Sequence, residues 1–282
     1  MAASLLTRGH TALCARLLNG WLPAPRVPSR LMLKMHVSRG RMSATAYRGT
    51  FLTIGVLAVV VAAGWVLVLG PLRMSGMAMV SPVAGAALFM TTWLVMLVAM
   101  MVPAMAPMVV AYQRITAARP GGAVLVALFV LGYLVVWFAA GLVPLAFNAA
   151  LPDLQMRLGM DAWWRVTGVA LLAVGLYQLS PAKTACLKSC RSPVGFFMRH
   201  DFGGGIRGAL RLGGLHGAIC IGCCWALMAL MVVVGSMSAA WMAVLAVLFI
   251  GEKSWRYGVA LSRVVGVGSL ASGALLIAGW MP

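Results

Sequence analysis

The sequence predicts an all-α fold, a polytopic transmembrane bundle of about seven helices (six if the shortest is re-entrant), with the N-terminus inside and the C-terminus outside. Three observations predict it. Of 282 residues, 63% are hydrophobic and 9% charged, with a mean hydropathy of +0.99, whereas soluble domains carry about 25% charged residues. Several apolar runs reach the roughly 20 residues that cross a bilayer as a helix, and they lack the alternation of a barrel strand. The basic residues, finally, fall almost entirely on one side of the resulting topology.

Residues 1–48 form a basic tail, and 49–282 form the membrane domain. The tail holds no acid and contains Pro23, Pro25 and Pro28, so it is expected to be weakly structured. Its Arg-rich composition also suits an organelle transit peptide, but nothing after Met42 depends on it, and a translation start at Met42 is the preferred reading. The first span is expected at 51–70, the second at 88–112, the third at 122–147 and the fourth at 163–181. A cytoplasmic, cysteine-containing loop covers 182–211. The fifth span follows at 212–235, a short sixth at 239–252 and the last at 258–281.

With the N-terminus inside, the cytoplasmic segments hold nineteen Lys and Arg and the outer ones three, Arg73, Arg157 and Arg165. That asymmetry follows the positive-inside rule and fits a bacterial inner membrane. It also accounts for the net charge of +18. Nucleic acid is therefore not the expected partner; the lipid bilayer is, together with a protein that donates or accepts metal. Trp163, Trp164, Trp241 and Trp280 lie near span ends, where an aromatic belt belongs. No internal repeat of the inverted-transporter kind is visible.

Within the fifth span stand His216, Cys220, Cys223 and Cys224. On a helix advancing about 100° per residue they fall near 0°, 40°, −20° and 80°, an arc of roughly 100°. Thiolate and imidazole are ligands for Cu(I) and Zn(II), whereas carboxylates and carbonyls would suit harder ions. Small Cys and Gly residues also permit close helix packing, and Gly213, Gly214, Gly217 and Gly222 are nearby. A histidine inside a membrane is costly without a role, which tips the reading toward metal. Cys186 and Cys190, four apart in the cytoplasmic loop, would share one side of a helical turn and form a transfer or second site. Lys183, Lys188 and Arg191 would favour their thiolates.

Methionine is the third soft element. Met101, Met105 and Met108 share a strip with Met90 on the second span, and Met231 extends the cysteine face. Such a stripe is first of all packing, but thioether also binds Cu(I). Pro103 and Pro107 are expected to bend the second span and open a cavity beside the stripe. Outer Met74, Met77 and Met79, the stripe and the thiols would then make a Cu(I) relay. Glu252 is expected to pair with Lys253 or Arg256, or else to orient His216. No carboxylate pair for hydrolysis and no phosphate loop is visible, so catalysis and ATP-driven pumping are not expected.

The chain resembles a bacterial domain-of-unknown-function family described as predicted metal-binding integral membrane proteins, sometimes labelled copper chaperones. The residues that carry the resemblance are Met100, Met101, Pro103 and Pro107, then Gly175, Tyr177, Ser180, Pro181 and Lys183. Cys186, Cys190 and Pro193 continue it, followed by His216, Cys220, Cys223, Cys224 and Trp225, and finally Glu252 and Lys253. They span about residues 50–280. The expected function is soft-metal binding in handling, delivery or transport, with Cu(I) first and zinc second. The rivals are a membrane thiol-disulfide oxidoreductase and a non-catalytic assembly partner.

Overall fold

The computed structural model describes residues 44–70, 82–200, 204–233 and 239–280, and every described regular element is helical. Eight helices follow in order: α1 Ala44–Leu69, α2 Pro82–Thr116, α3 Gly122–Leu179, α4 Pro181–Cys190, α5 Pro193–Arg199, α6 Gly205–Val233, α7 Ala239–Ser254 and α8 Gly258–Ile277. The tail before residue 44, with Cys14, and the outer Met74, Met77 and Met79 lie outside the described residues.

Five described helices are long and apolar enough to cross a membrane: Gly49–Leu69, Gly85–Thr116, Gly122–Phe147, Gly205–Val232 and Gly258–Ile277. The expected fourth and sixth spans are helical at their places but are not among the five. The sixth, α7, has 16 residues, about 24 Å of helix, short of a full hydrocarbon slab. The fourth is the second part of α3, which is continuous through residues 122–179 except at Gly159. There φ is 75° and ψ 170°, a conformation that only glycine adopts without strain, and the chain changes direction.

Glycines set the closest helix contacts. A Cβ on Gly213 would lie 1.9 Å from the Phe129 carbonyl oxygen, and one on Gly217 3.2 Å from that of Tyr133, so α6 runs parallel to the first part of α3 with backbones nearly touching. The second part of α3 and α8 carry glycines seven apart that meet in antiparallel register, Gly168 against Gly273 and Gly175 against Gly266. Without a hydrophobic force between helices in lipid, such small-residue seams are what permits tight packing. Antiparallel pairing also joins α1 to α2, where Gly64 meets Ala99, and α2 to α3, where Trp93 donates to the Trp137 carbonyl at 3.2 Å and Tyr112 stacks on Phe129.

The side of the bundle turned away from these seams is apolar: Leu52 is 72% exposed, Val247 71% and Val264 68%. Lipid tails would cover such a surface. Inside, Met96, Met100, Met101, Met105 and Met108 of α2 are buried in one core with the cysteines of α6. Pro103 and Pro107 sit within a continuous α2. A cavity of about 940 Å³ borders α2 on its Val98, Val102 and Val109 face, toward α1 and α3.

The expected cytoplasmic loop is folded. Ser180 caps α4 by accepting from the Lys183 amide at 3.2 Å, and Ser192 caps α5 by accepting from the Gly195 amide at 3.1 Å. Pro181 and Pro193 each hold the first helical turn. A capping hydroxyl followed by proline is a strong local start signal, and it stands in the sequence twice. Cys186, Leu187 and Cys190 of α4, with Phe196 and Phe197 of α5, are buried against the bundle.

Candidate metal centre

Cys220, Cys223 and Cys224 sit on one face of α6, as the helical spacing requires, and all three are buried. Their sulfurs lie within 4.8 Å of one another. Each of the later two thiols donates back to the Cys220 carbonyl, Cys223 at 3.1 Å and Cys224 at 3.0 Å. These local bonds hold the side chains toward the preceding turn and so draw the sulfurs together.

Cys190 joins them from α4. Its sulfur is 3.8 Å from that of Cys223. The two cysteine groups of the sequence are thus one assembly at this point, rather than a membrane group and a separate cytoplasmic one. The cause is the Ser-Pro start of α4, which turns the chain back from the end of α3 and lays the helix along α6. Cys186, one turn earlier on α4, points its sulfur at Gly222, where a Cβ would come within 2.9 Å of it. Gly222 is therefore the residue that lets α4 approach.

The expected thiolate activation by Lys183, Lys188 and Arg191 is not what surrounds Cys190. Hydrogen bonds with Cys220 and Cys223, and then burial, hold its thiol well above the usual range. Two of these cations are engaged elsewhere: Lys183 pairs with Glu252 at 2.8 Å, and Arg191 donates to the backbone carbonyls of Glu252 at 2.7 Å and Arg256 at 3.2 Å.

Where the sequence suggests Lys253, Arg256 or His216 as the partner of Glu252, its carboxylate binds Lys183 through both oxygens. Gln178 completes this buried group, donating to Glu252 at 3.4 Å and accepting from Lys183. On a helix consecutive residues diverge by about 100°, so Glu252 faces α4 while Lys253 turns to α6. The Lys253 ammonium donates to the Cys220 sulfur at 2.9 Å. Tyr133 of α3 reaches the same sulfur, with Oη 3.2 Å away.

His216, one turn before Cys220, is buried with Nδ1 unpartnered. It is not in the group of three sulfurs. Its ring stacks with Tyr133 at 5.7 Å and Phe129 at 6.1 Å, and meets Phe196 edge-on at 5.5 Å. An orphaned ring nitrogen beside a thiol cluster is a donor held in reserve, since a buried polar atom without a partner is costly. Met231 is buried two turns beyond the thiols on the same helix, and Met101, Met105 and Met108 lie in the same core. His200, buried at the C-terminal cap of α5, bonds back to the Phe196 carbonyl.

Sequence reasoning did not single out Tyr133 or the Lys253–Cys220 contact. Tyr133 carried no local signal. Lys253 did, since an ammonium at the end of an apolar run calls for a partner.

Chemically, three thiols within 4.8 Å of one another and a fourth 3.8 Å from one of them make a soft donor set with no carboxylate in it among the described residues, the kind that selects Cu(I) or zinc over magnesium or calcium. No curated protein and no solved structure matches the chain. A family model named PpoB2 and described as a copper chaperone matches residues 89–276, which runs from within α2 to near the end of α8 and takes in every cysteine and histidine of the centre. By that match the chain belongs to the PpoB2 copper-chaperone family.

Proposed function

We propose that the protein is a membrane-embedded Cu(I) carrier that takes the ion into the Cys190, Cys220, Cys223 and Cys224 centre and delivers it to a partner protein. The observation that carries this reading is the convergence of four buried sulfurs from two helices, three of them mutually within 4.8 Å. Zinc is the second metal, because thiolate and imidazole serve both ions. His216 is the fifth donor, and Met101, Met105, Met108 and Met231 provide weaker thioether positions along the approach.

The topology proposed with it is seven crossings of a bacterial inner membrane, N-terminus inside. The basic-residue asymmetry supports this, as does the alternation of direction from α1 to α2 and from α2 to α3. Cys220 is fifteen residues into α6, about 22 Å along the helix from its start. An ion therefore reaches it only through the packed core or by displacement of α4 and α5.

The test is metal content of the full chain purified in detergent under reducing conditions, with copper and zinc measured per protein. A Cys220→Ser, Cys223→Ser double variant is expected to lose bound metal; full retention would end this reading. The redox alternative has one observation in its favour, the 3.8 Å approach of Cys190 and Cys223. A reversible disulfide in protein that binds no metal would select it.

A further inference from the structure

We infer that Lys253 is the counter-cation of the cysteine centre, a residue that favours anionic complexes of a monovalent soft ion with thiolates. The inference rests on the reading of the cluster as a soft-metal site and adds to it the electrostatic device that fixes which charge the site accepts.

Helices α2, α4, α5, α6 and α7 together contain a single acid, Glu252. That carboxylate is fully engaged by Lys183, 2.8 and 2.9 Å from its two oxygens, with Gln178 alongside. The neighbouring Arg191 is satisfied by backbone carbonyls. Lys253 is thus left as a buried ammonium whose hydrogen-bond partner is a sulfur, Cys220 at 2.9 Å. An isolated ammonium in such surroundings is strongly unfavourable, and it persists when an anion offsets it.

Two thiolates around Cu(I) or Ag(I) carry one net negative charge, and the Lys253 ammonium brings the whole assembly to neutrality. Two thiolates around Hg(II) are neutral already and gain nothing from a cation. Removing the Lys253 charge should therefore weaken the monovalent ions selectively. A residue that merely holds α7 against α6 would weaken all three alike.

The experiment uses the full chain in detergent under reducing conditions, with Cu(I), Ag(I) and Hg(II) affinities measured by competition against chromogenic chelators. Lys253→Met is expected to lower Cu(I) and Ag(I) affinity by about a hundredfold or more, the effect of breaking a buried charge pair, with Hg(II) affinity held or raised. Lys253→Arg keeps the charge and is expected to retain most of the Cu(I) affinity. Hg(II) binding doubles as the check that the site is intact, and Lys253→Gln replaces the methionine variant if that one does not fold. Unchanged Cu(I) binding in Lys253→Met overturns the inference, as does an equal loss of all three ions or a Lys253→Arg variant as weak as Lys253→Met. Failure of the unaltered protein to bind any of them overturns the metal-carrier reading itself.

Discussion

Oxidation with diamide tests whether α4 is part of the cysteine centre. The Cys190 and Cys223 sulfurs stand 3.8 Å apart, and a disulfide brings them to about 2.05 Å. The closure of about 1.8 Å is within reach of side-chain rotation and a small displacement of α4. The competing pair, Cys220 and Cys223, is three residues apart on one helix, with side chains diverging by about 60°, so its closure distorts α6. Diamide takes two electrons and two protons from the thiol pair and is itself reduced to the hydrazine. The new bond spans 33 positions of sequence, and the chain-entropy relation gives about 3.8 kcal/mol of stabilisation against unfolding. Peptide mapping without reduction is expected to find the Cys190–Cys223 link as the main product among these thiols, and the oxidised protein is expected to bind no Cu(I). If Cys190 stays open to alkylation while Cys220 and Cys223 are oxidised together, α4 does not sit where the centre requires it.

Two further outcomes follow from the same geometry. Glu252→Gln leaves the buried Lys183 ammonium without its counter-charge and is expected to destabilise the protein by about 3–5 kcal/mol; unfolding in mixed detergent micelles measures it, and adding Lys183→Met should recover most of the loss. Changing Met101, Met105 and Met108 together to Leu nearly conserves core volume, a class of exchange that usually costs below about 1.5 kcal/mol per site. Folding should survive while Cu(I) transfer to an acceptor chelator slows, and an unchanged transfer rate would show that the stripe is packing alone.

The readable part of this protein is the part governed by local rules. Helix α6 and its thiol face follow from a 3.6-residue period acting on four nearby residues, His216, Cys220, Cys223 and Cys224. Metal and close packing are rival readings of that helix in the sequence, and its glycines do pack: Gly213 and Gly217 press on α3, whose Tyr133 also reaches Cys220. The helices α4 and α5 are equally legible, because Ser180 with Pro181 and Ser192 with Pro193 are start signals, yet only a cytoplasmic loop is expected from the sequence over 182–211. The surroundings of the methionine stripe were harder to read, for a different reason. Proline removes a backbone donor from α2, but whether a void results depends on the helices around it, and Met96 to Met108 are packed to 1% exposure or less.

By itself the sequence determined that the chain is helical and apolar, where its main helices run, and that three thiols share a face with a histidine. Each of these is a property of residues within a few turns of one another. Only the tertiary structure decided that Cys190 meets Cys223, that Glu252 answers Lys183, and that Lys253 turns to Cys220. Those pairs are separated by 33, 69 and 33 positions. Their partners are chosen by how α4 folds back and by the 100° step between adjacent residues on α7, and neither is written in the local pattern.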